Sequence, residues 1–167
     1  MLGPAGLGVT IMTLLMTLYA SSCAPAVAPG ELDKLGAIRI TIKDQPFSLW
    51  IADGYAEQQQ GLMHVTAEQM APLPDKTERG MIFIFDHESE LSFWMKNTII
   101  PLDIAYLDAQ GGVLNTYTMA ALDERIGQYT SNGPARYAIE VNAGVWSRIG
   151  LKRGDKIQLP AEATRQR

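Results

Sequence analysis

Cysteine occurs once in the 167 residues, at Cys23, which rules out an internal disulfide framework and any cysteine-built zinc cluster. Basic runs are missing too. Fourteen Lys/Arg against eighteen Asp/Glu leave a net charge of −4, so the clustered positive face of a nucleic-acid binder is absent. No charge of either sign precedes Glu31. No apolar run reaches the roughly twenty residues that a membrane-spanning helix needs. There is no Gly-x-Ser-x-Gly elbow, phosphate-binding glycine loop, dinucleotide fingerprint or calcium loop, and nothing calls for a cofactor. What is present is the composition of a folded protein, 47% hydrophobic and 19% charged, with room for one ordinary domain.

The uncharged start has its own logic. Leu7 to Leu18 is an apolar run broken only by Gly8 and three threonines, and Ala20, Ser21 and Ser22 then lead to Cys23. A run of this length matches a signal-peptide core. Small residues before a lone cysteine resemble a bacterial lipoprotein signal, which implies that Cys23 is acylated and begins the mature chain. Two features depart from that pattern: Ala20 stands where leucine is usual, and no Lys or Arg precedes the run. Plain secretion or an uncleaved anchor is the alternative. The expected organisation is a signal peptide over 1–22, a Pro/Ala-rich tether over 23–36, a domain over 37–160 and a tail over 161–167. The expected location is outside the cytoplasm, in the periplasm or envelope, with a lipid on Cys23 as the membrane anchor.

Beyond the tether, period-two alternation dominates. Ile38, Ile40 and Ile42 alternate with Arg39 and Thr41, and Phe47, Leu49 and Ile51 continue after a turn at Lys43-Asp44-Gln45, which predicts a hairpin. Asp53 is placed to cap a short helix ending at Gly61, and Thr66 with Gln69 has capping-box spacing. Further strands are expected at Gly80–Phe85, Leu91–Thr98, Leu102–Leu107, Val113–Met119, Arg136–Val141 and Lys156–Leu159, with Asp86–Glu90 as a polar connection. A last short helix is expected from an Asn142 cap to Ile149. Helices and strands do not alternate regularly, so a doubly wound parallel sheet is disfavoured. The expected fold is mostly β: one compact, antiparallel, sandwich- or barrel-like domain with two or three short helices.

One stretch is more specific than this. The run Phe93-Trp94-Met95-Lys96-Asn97-Thr98-Ile99-Ile100-Pro101-Leu102-Asp103 resembles the prokaryotic family called domain of unknown function 192 (DUF192). Gly61-Leu62-Met63, Gly80-Met81-Ile82-Phe83, Tyr137-Ala138-Ile139-Glu140 with Ala143-Gly144, and Gly150-Leu151-Lys152 with Gly154-Asp155 follow in family order. The resemblance covers about 37–160. It implies a small β-rich fold common on exported proteins, and brings no established activity, substrate or cofactor. The arginine often found two places after the Gly-Leu-Met triplet is Val65 here, so any role of that arginine is missing.

Alternation also sorts the candidate chemistry. If the run from Leu91 is a strand, Phe93, Met95 and Asn97 share one side and Trp94, Lys96 and Thr98 the other. Leu102, Ile104 and Tyr106 oppose Asp103, and Tyr137, Ile139 and Val141 oppose Arg136 and Glu140. Lys96, Asp103 and Glu140 are thus ionisable groups set in apolar strands, and a buried charge without a partner costs several kcal/mol. One reading is a structural network in which Asp103 binds turn amides and Glu140 pairs with Arg136 or Lys96. The functional reading is a binding pocket: Trp94 as wall, Lys96 and Asn97 as donors, Asp103 and Glu140 as acceptors. The two carboxylates could also serve as acid and base in a hydrolase acting on an envelope polymer, but without fixed geometry that signal is weak. A non-catalytic binding or interaction module, with an envelope ligand or protein as its partner, is the better expectation. Met63, Met70, Met81, Met95 and Met119 with His64 and His87 offer ligands that suit copper(I). Without a dense Met tract or a His-x-x-x-His pair they read as core filler, and no metal site is expected.

Overall fold

The computed structural model describes residues 32–164. The expected signal peptide, Cys23 and most of the tether lie outside the described residues. The strands are β1 (Ala37–Ile42), β2 (Gln45–Ala52), β3 (Glu78–Ser89), β4 (Ser92–Phe93), β5 (Leu102–Leu107), β6 (Val113–Met119), β7 (Tyr129–Thr130) and β8 (Ala135–Asn142). Three short helices are α1 (Tyr55–Gln60), α2 (Val145–Ile149) and α3 (Ala161–Thr164). Six strands form one sheet in the order β1-β2-β3-β8-β5-β6, while β4 and β7 make a two-stranded ribbon. The sheet is open, with β1 and β6 at its edges, so of the two forms expected the closed barrel is not adopted. All its pairings are antiparallel except β2 with β3. That parallel pair follows from the long connection through α1, because parallel neighbours need a crossover.

Local chemistry explains most of the elements. The β1–β2 hairpin turns at Lys43 and Asp44, both with positive φ (48° and 66°), as a two-residue turn matched to strand twist requires. Asp155 steadies that turn through Lys43 Nζ at 2.9 Å. Helix α1 is entered at Gly54, not Asp53, and Glu57 reaches back to accept the Gly54 and Asp53 amides at 2.9 and 3.1 Å. Gly61 ends it with φ 47°. Thr66 and Gln69 exchange the expected reciprocal bonds.

Both faces of the sheet are buried. One covers Trp50, Ala52, Met81, Phe83, Ile104, Tyr106 and Ala138 with loop residues Leu62, Val65, Met70, Leu91 and Met95. The other packs Ile38, Phe47, Leu49, Ile82, Ala105, Ile139 and Val141 against Trp146, Leu151 and Ile157. Fully burying one Leu, Ile or Met is worth about 2 kcal/mol, so the covering loops are held by their apolar anchors without regular structure. Four methionines (Met70, Met81, Met95, Met119) are buried in the first core. Val65, at the position of the family's missing arginine, is fully buried there as well. The packed unit runs past the expected bounds at both ends, since Leu32 belongs to the first core and Ala163 of α3 to the second.

Several expectations on single elements need correction. β3 continues through Asp86–Ser89, where a polar connection was expected; a bulge against β8 between Ile84 and Ser89 lets the strand leave the core while still extended. The expected strand Leu91–Thr98 shrinks to β4. After it the chain turns, with Thr98 N–H donating to Met95 O at 3.1 Å and Asn97 left-handed at φ 56°. Helix α2 starts from left-handed Gly144, while Asn142 donates instead to Met70 O at 2.8 Å. The expected last strand is reduced to one bridge, Gly112 with Lys156. The β4–β7 ribbon was not foreseen, since two-residue strands carry no periodic signal.

Candidate functional site

The sheet register decides where the two candidate carboxyls go. Along β8, Glu140 pairs with Met81 of β3 and Ile104 of β5, while Asp103 of β5 pairs with Val141. Residues opposite one another in a ladder project to the same face. Glu140 therefore joins Met81 and Ile104 on the first face, and Asp103 joins Val141 on the second.

Asp103 is 1% exposed and fully employed. Thr118 Oγ1 donates to its Oδ1 at 2.6 Å, and the Trp146 backbone N–H to its Oδ2 at 2.9 Å. Helix α2 has no side-chain cap of its own, so Asp103 supplies one from the neighbouring strand. This is the turn-amide role expected for a structural carboxylate.

Glu140 differs in every respect. It is 4% exposed, and it forms neither of the ion pairs expected with Arg136 or Lys96. No group among the described residues donates a hydrogen bond to its carboxyl. Burial alone pushes this carboxyl up to about 8, so near neutral pH it is held mainly as the uncharged acid. Burial first, then the nearby Glu140, also raise the Tyr106 hydroxyl well above the ordinary tyrosine range; that hydroxyl donates to Tyr129 O at 2.8 Å.

Glu140 lines a narrow cleft with about 40 Å³ of space for water-sized groups. Leu62, Met63, Phe83 and Phe93 give it an apolar lining, Gln58 to Gly61 and exposed Trp94 border it, and buried Thr98 lies within it. Trp94 is 41% exposed, so the cleft joins a half-exposed tryptophan to a nearly buried carboxyl. Two shallower grooves of about 210 and 260 Å³ continue from it along Gln59, Phe93 and Trp94, the second reaching exposed Ile126.

Two glycines make this arrangement possible. A Cβ on Gly80 would lie 2.2 Å from the Glu140 carbonyl oxygen, so the bare backbone of β3 lets β8 approach at that point. Gly61 holds its positive φ against the edge of Phe83, where a Cβ would come to 3.3 Å.

Of the five binding residues expected from sequence, Trp94 and Glu140 come together in the cleft. Lys96 is exposed and stacks on the Trp94 ring, its Nζ 5.1 Å from the centroid. Asn97 sits beside the cleft, where its Nδ2 approaches Met63 Sδ at 3.9 Å and its carbonyl accepts the His64 N–H at 2.8 Å. Asp103 is separated from the others by the sheet. The predicted alternation of faces from Phe93 to Thr98 does not hold, because Met95 and Thr98 are both buried in a turn. Gln58, Met63 and Phe83 were missed as cleft residues; nothing in the sequence joins them to Glu140 before the crossover folds over the sheet.

The sequence model of DUF192, described as “Uncharacterized ACR”, matches residues 38–159. The chain belongs to this family. Two solved structures are similar to it. A protein of unknown function from Novosphingobium aromaticivorans DSM 12444 is 31% identical, with a TM-score of 0.62 over 86% of this chain and 99% of that one. A protein provisionally named a transcription regulator, from Sinorhizobium meliloti 1021, is 30% identical, with a TM-score of 0.61 over 73% of this chain and 90% of that one. No curated protein matches. In this DUF192 protein the family run from Phe93 to Asp103 builds both features described above: its first half walls the cleft, and its last residue caps α2.

Proposed function

We propose that this DUF192 protein is an exported envelope protein, anchored through a lipid on Cys23, and that its domain is a non-catalytic binding module with the Glu140–Trp94 cleft as its binding site. The observation that carries the binding reading is a nearly buried carboxyl that accepts no hydrogen bond from the described residues and lines a cleft together with a half-exposed tryptophan. Leaving such a group unsatisfied costs about 1–3 kcal/mol, a cost that an incoming donor would relieve. Export is supported by the uncharged apolar start followed by small residues and Cys23. A non-catalytic role is supported by the separation of Asp103 and Glu140, since a carboxyl pair that hydrolyses a glycosidic bond must flank one bound substrate. The regulator name belongs to the Sinorhizobium protein; here the net charge of −4 disfavours binding to a polyanion.

Two measurements test this. Intact mass of membrane-extracted protein should show an acylated Cys23 terminus, and a chain beginning unmodified at Ala24 or later would remove the anchor. Next, a form without residues 1–23, and so without both leader and lipid, should co-sediment with washed envelope from the producing cells. Trp94→Ala and Glu140→Gln added to it should reduce that retention at least tenfold; equal retention of all three forms would remove the cleft as the binding site.

A further inference from the structure

Size and donor chemistry narrow what the cleft can take. About 40 Å³ of space for water-sized groups compares with roughly 10–15 Å³ for one water on the same measure. That is room for about three water-sized groups, the scale of the tip of a chain and not of a whole sugar ring. The walls are lined by Phe83, Phe93 and Trp94 with Leu62 and the Met63 thioether; aromatic faces attract a cation, and none of these side chains brings an ammonium or guanidinium donor of its own. The acceptors are the Glu140 carboxyl and the Thr98 hydroxyl, whose proton points to Lys96 O at 3.4 Å, with the Gln58–Gln60 side chains at the lip. Glu90 lines one of the two adjoining grooves. The Trp94 ring already receives one ammonium, that of Lys96.

We infer that the cleft is a primary-ammonium subsite, in which the –CH₂–NH₃⁺ end of an alkylamine such as a lysine side chain passes Trp94 and seats its three donors against Glu140 and Thr98. This rests on the binding-module reading above and names the ligand class of the same cleft. An ammonium carries three donors and no acceptor, which complements an acceptor-lined end between aromatic walls. Seating it breaks the Glu140 O–H bond; the proton passes to solvent, the carboxylate is left facing the ammonium, and no other bond changes. The charged or titratable groups on the surrounding elements are Tyr106 on β5, Arg136 on β8, Lys96 stacked on Trp94, Glu57 bonded to the Gly54 and Asp53 amides, His64 beside Asn97, and Glu90 in the adjoining groove. β3 contributes only Met81 and Phe83 at this point. Glu140 is therefore the group whose protonation changes on binding.

The test titrates the full chain with Nα-acetyl-lysine methylamide, with butane-1,4-diamine and with butan-1-ol, following the Trp94 indole N–H resonance (assigned by Trp94→Phe). The lysine amide is expected to bind, with affinity rising about tenfold per pH unit from 6 toward 8 and levelling above it. Calorimetry in two buffers of different ionisation enthalpy should show close to one proton released at pH 6.5. Glu140→Gln should weaken binding at least tenfold and abolish the pH dependence. Tighter binding of the diamine than of the lysine amide would make a free polyamine the source of the ammonium; the reverse order would make it a peptide. No saturable shift with either amine, binding of butanol equal to that of the amines, or amine binding indifferent to pH would overturn the inference. If amines fail while envelope retention still depends on Trp94 and Glu140, the module reading stands without its ammonium; if retention is indifferent too, both fall.

Discussion

Asp103 and Glu140 stand one ladder position apart on neighbouring strands and face opposite sides of the same sheet. Asp103 accepts two hydrogen bonds, one from β6 and one from α2; Glu140 accepts none from the described residues and lines a cleft. Two carboxyls alike in the sequence thus have unlike tasks.

Because they share no partner, their substitutions should act independently. Asp103→Ala is expected to cost about 2–4 kcal/mol, as it leaves the Trp146 N–H and the Thr118 hydroxyl unpaired in the interior. Combined with Glu140→Gln, the two effects should add within about 0.5 kcal/mol. Urea denaturation of the two single variants and the double variant measures this, and a larger coupling would mean that the faces communicate.

Glu140 also sets a pH dependence of stability. Its carboxyl titrates near 8 when folded and near 4.3 when unfolded, so between these values the folded state holds more protons. Stability from this group is therefore complete below the unfolded value and is lost as pH rises toward 8. The loss from pH 4.5 to 7 is roughly 3 kcal/mol. Glu140→Gln, which cannot ionise, should lack that slope. The difference between the two urea-midpoint profiles isolates the group, and parallel profiles would show that Glu140 is not held uncharged.

Gly80→Ala brings a Cβ to 2.2 Å from the Glu140 carbonyl oxygen. Backbone must move at the centre of the sheet, at a cost of about 3 kcal/mol or more. Thermal unfolding should show a large loss of stability, and the Trp94 resonance should shift because β8 carries the end of the cleft. A neutral substitution would mean that β3 and β8 part at little cost.

Trp94→Ala should change stability by less than about 1 kcal/mol, since the ring is half in water. It should also remove most acrylamide-quenchable fluorescence, because Trp50 and Trp146 are buried. Retained quenching would place the exposed indole elsewhere.

The loop that ends beside the cleft has an anchor of its own. Asp123 accepts from Arg125 and from the Tyr129 hydroxyl, at 2.6 and 2.8 Å, and these bonds, Arg125 first, hold its carboxyl well below the ordinary range. Tyr129→Phe should raise the titration of that carboxyl, read by carbon-detected NMR. It should also free the Ala120 amide, which donates to the same hydroxyl at 3.2 Å, and so speed its hydrogen exchange. An unmoved Asp123 would show that Arg125 alone fixes it.

By itself, the sequence determined what each strand exposes on its two sides. The alternation of Ile38, Ile40 and Ile42, of Leu102, Ile104 and Tyr106, and of Tyr137, Ile139 and Val141 is local, because side chains on an extended backbone must point to opposite faces in turn. The class of fold was legible for the same reason, and the short helix from the glycine that stops it at Gly61. Tertiary structure alone decided which of those sides share a face. The register of β5 against β8 paired Glu140 with Ile104 and parted it from Asp103, a relation between strands far apart in the chain that no local period encodes. The crossover 53–77 and the turn at Asn97 then brought Met63 and Trp94 over Glu140. These segments are fixed by their buried anchors Leu62, Val65 and Met95, and an apolar residue in an irregular segment names no partner until the sheet it covers has formed.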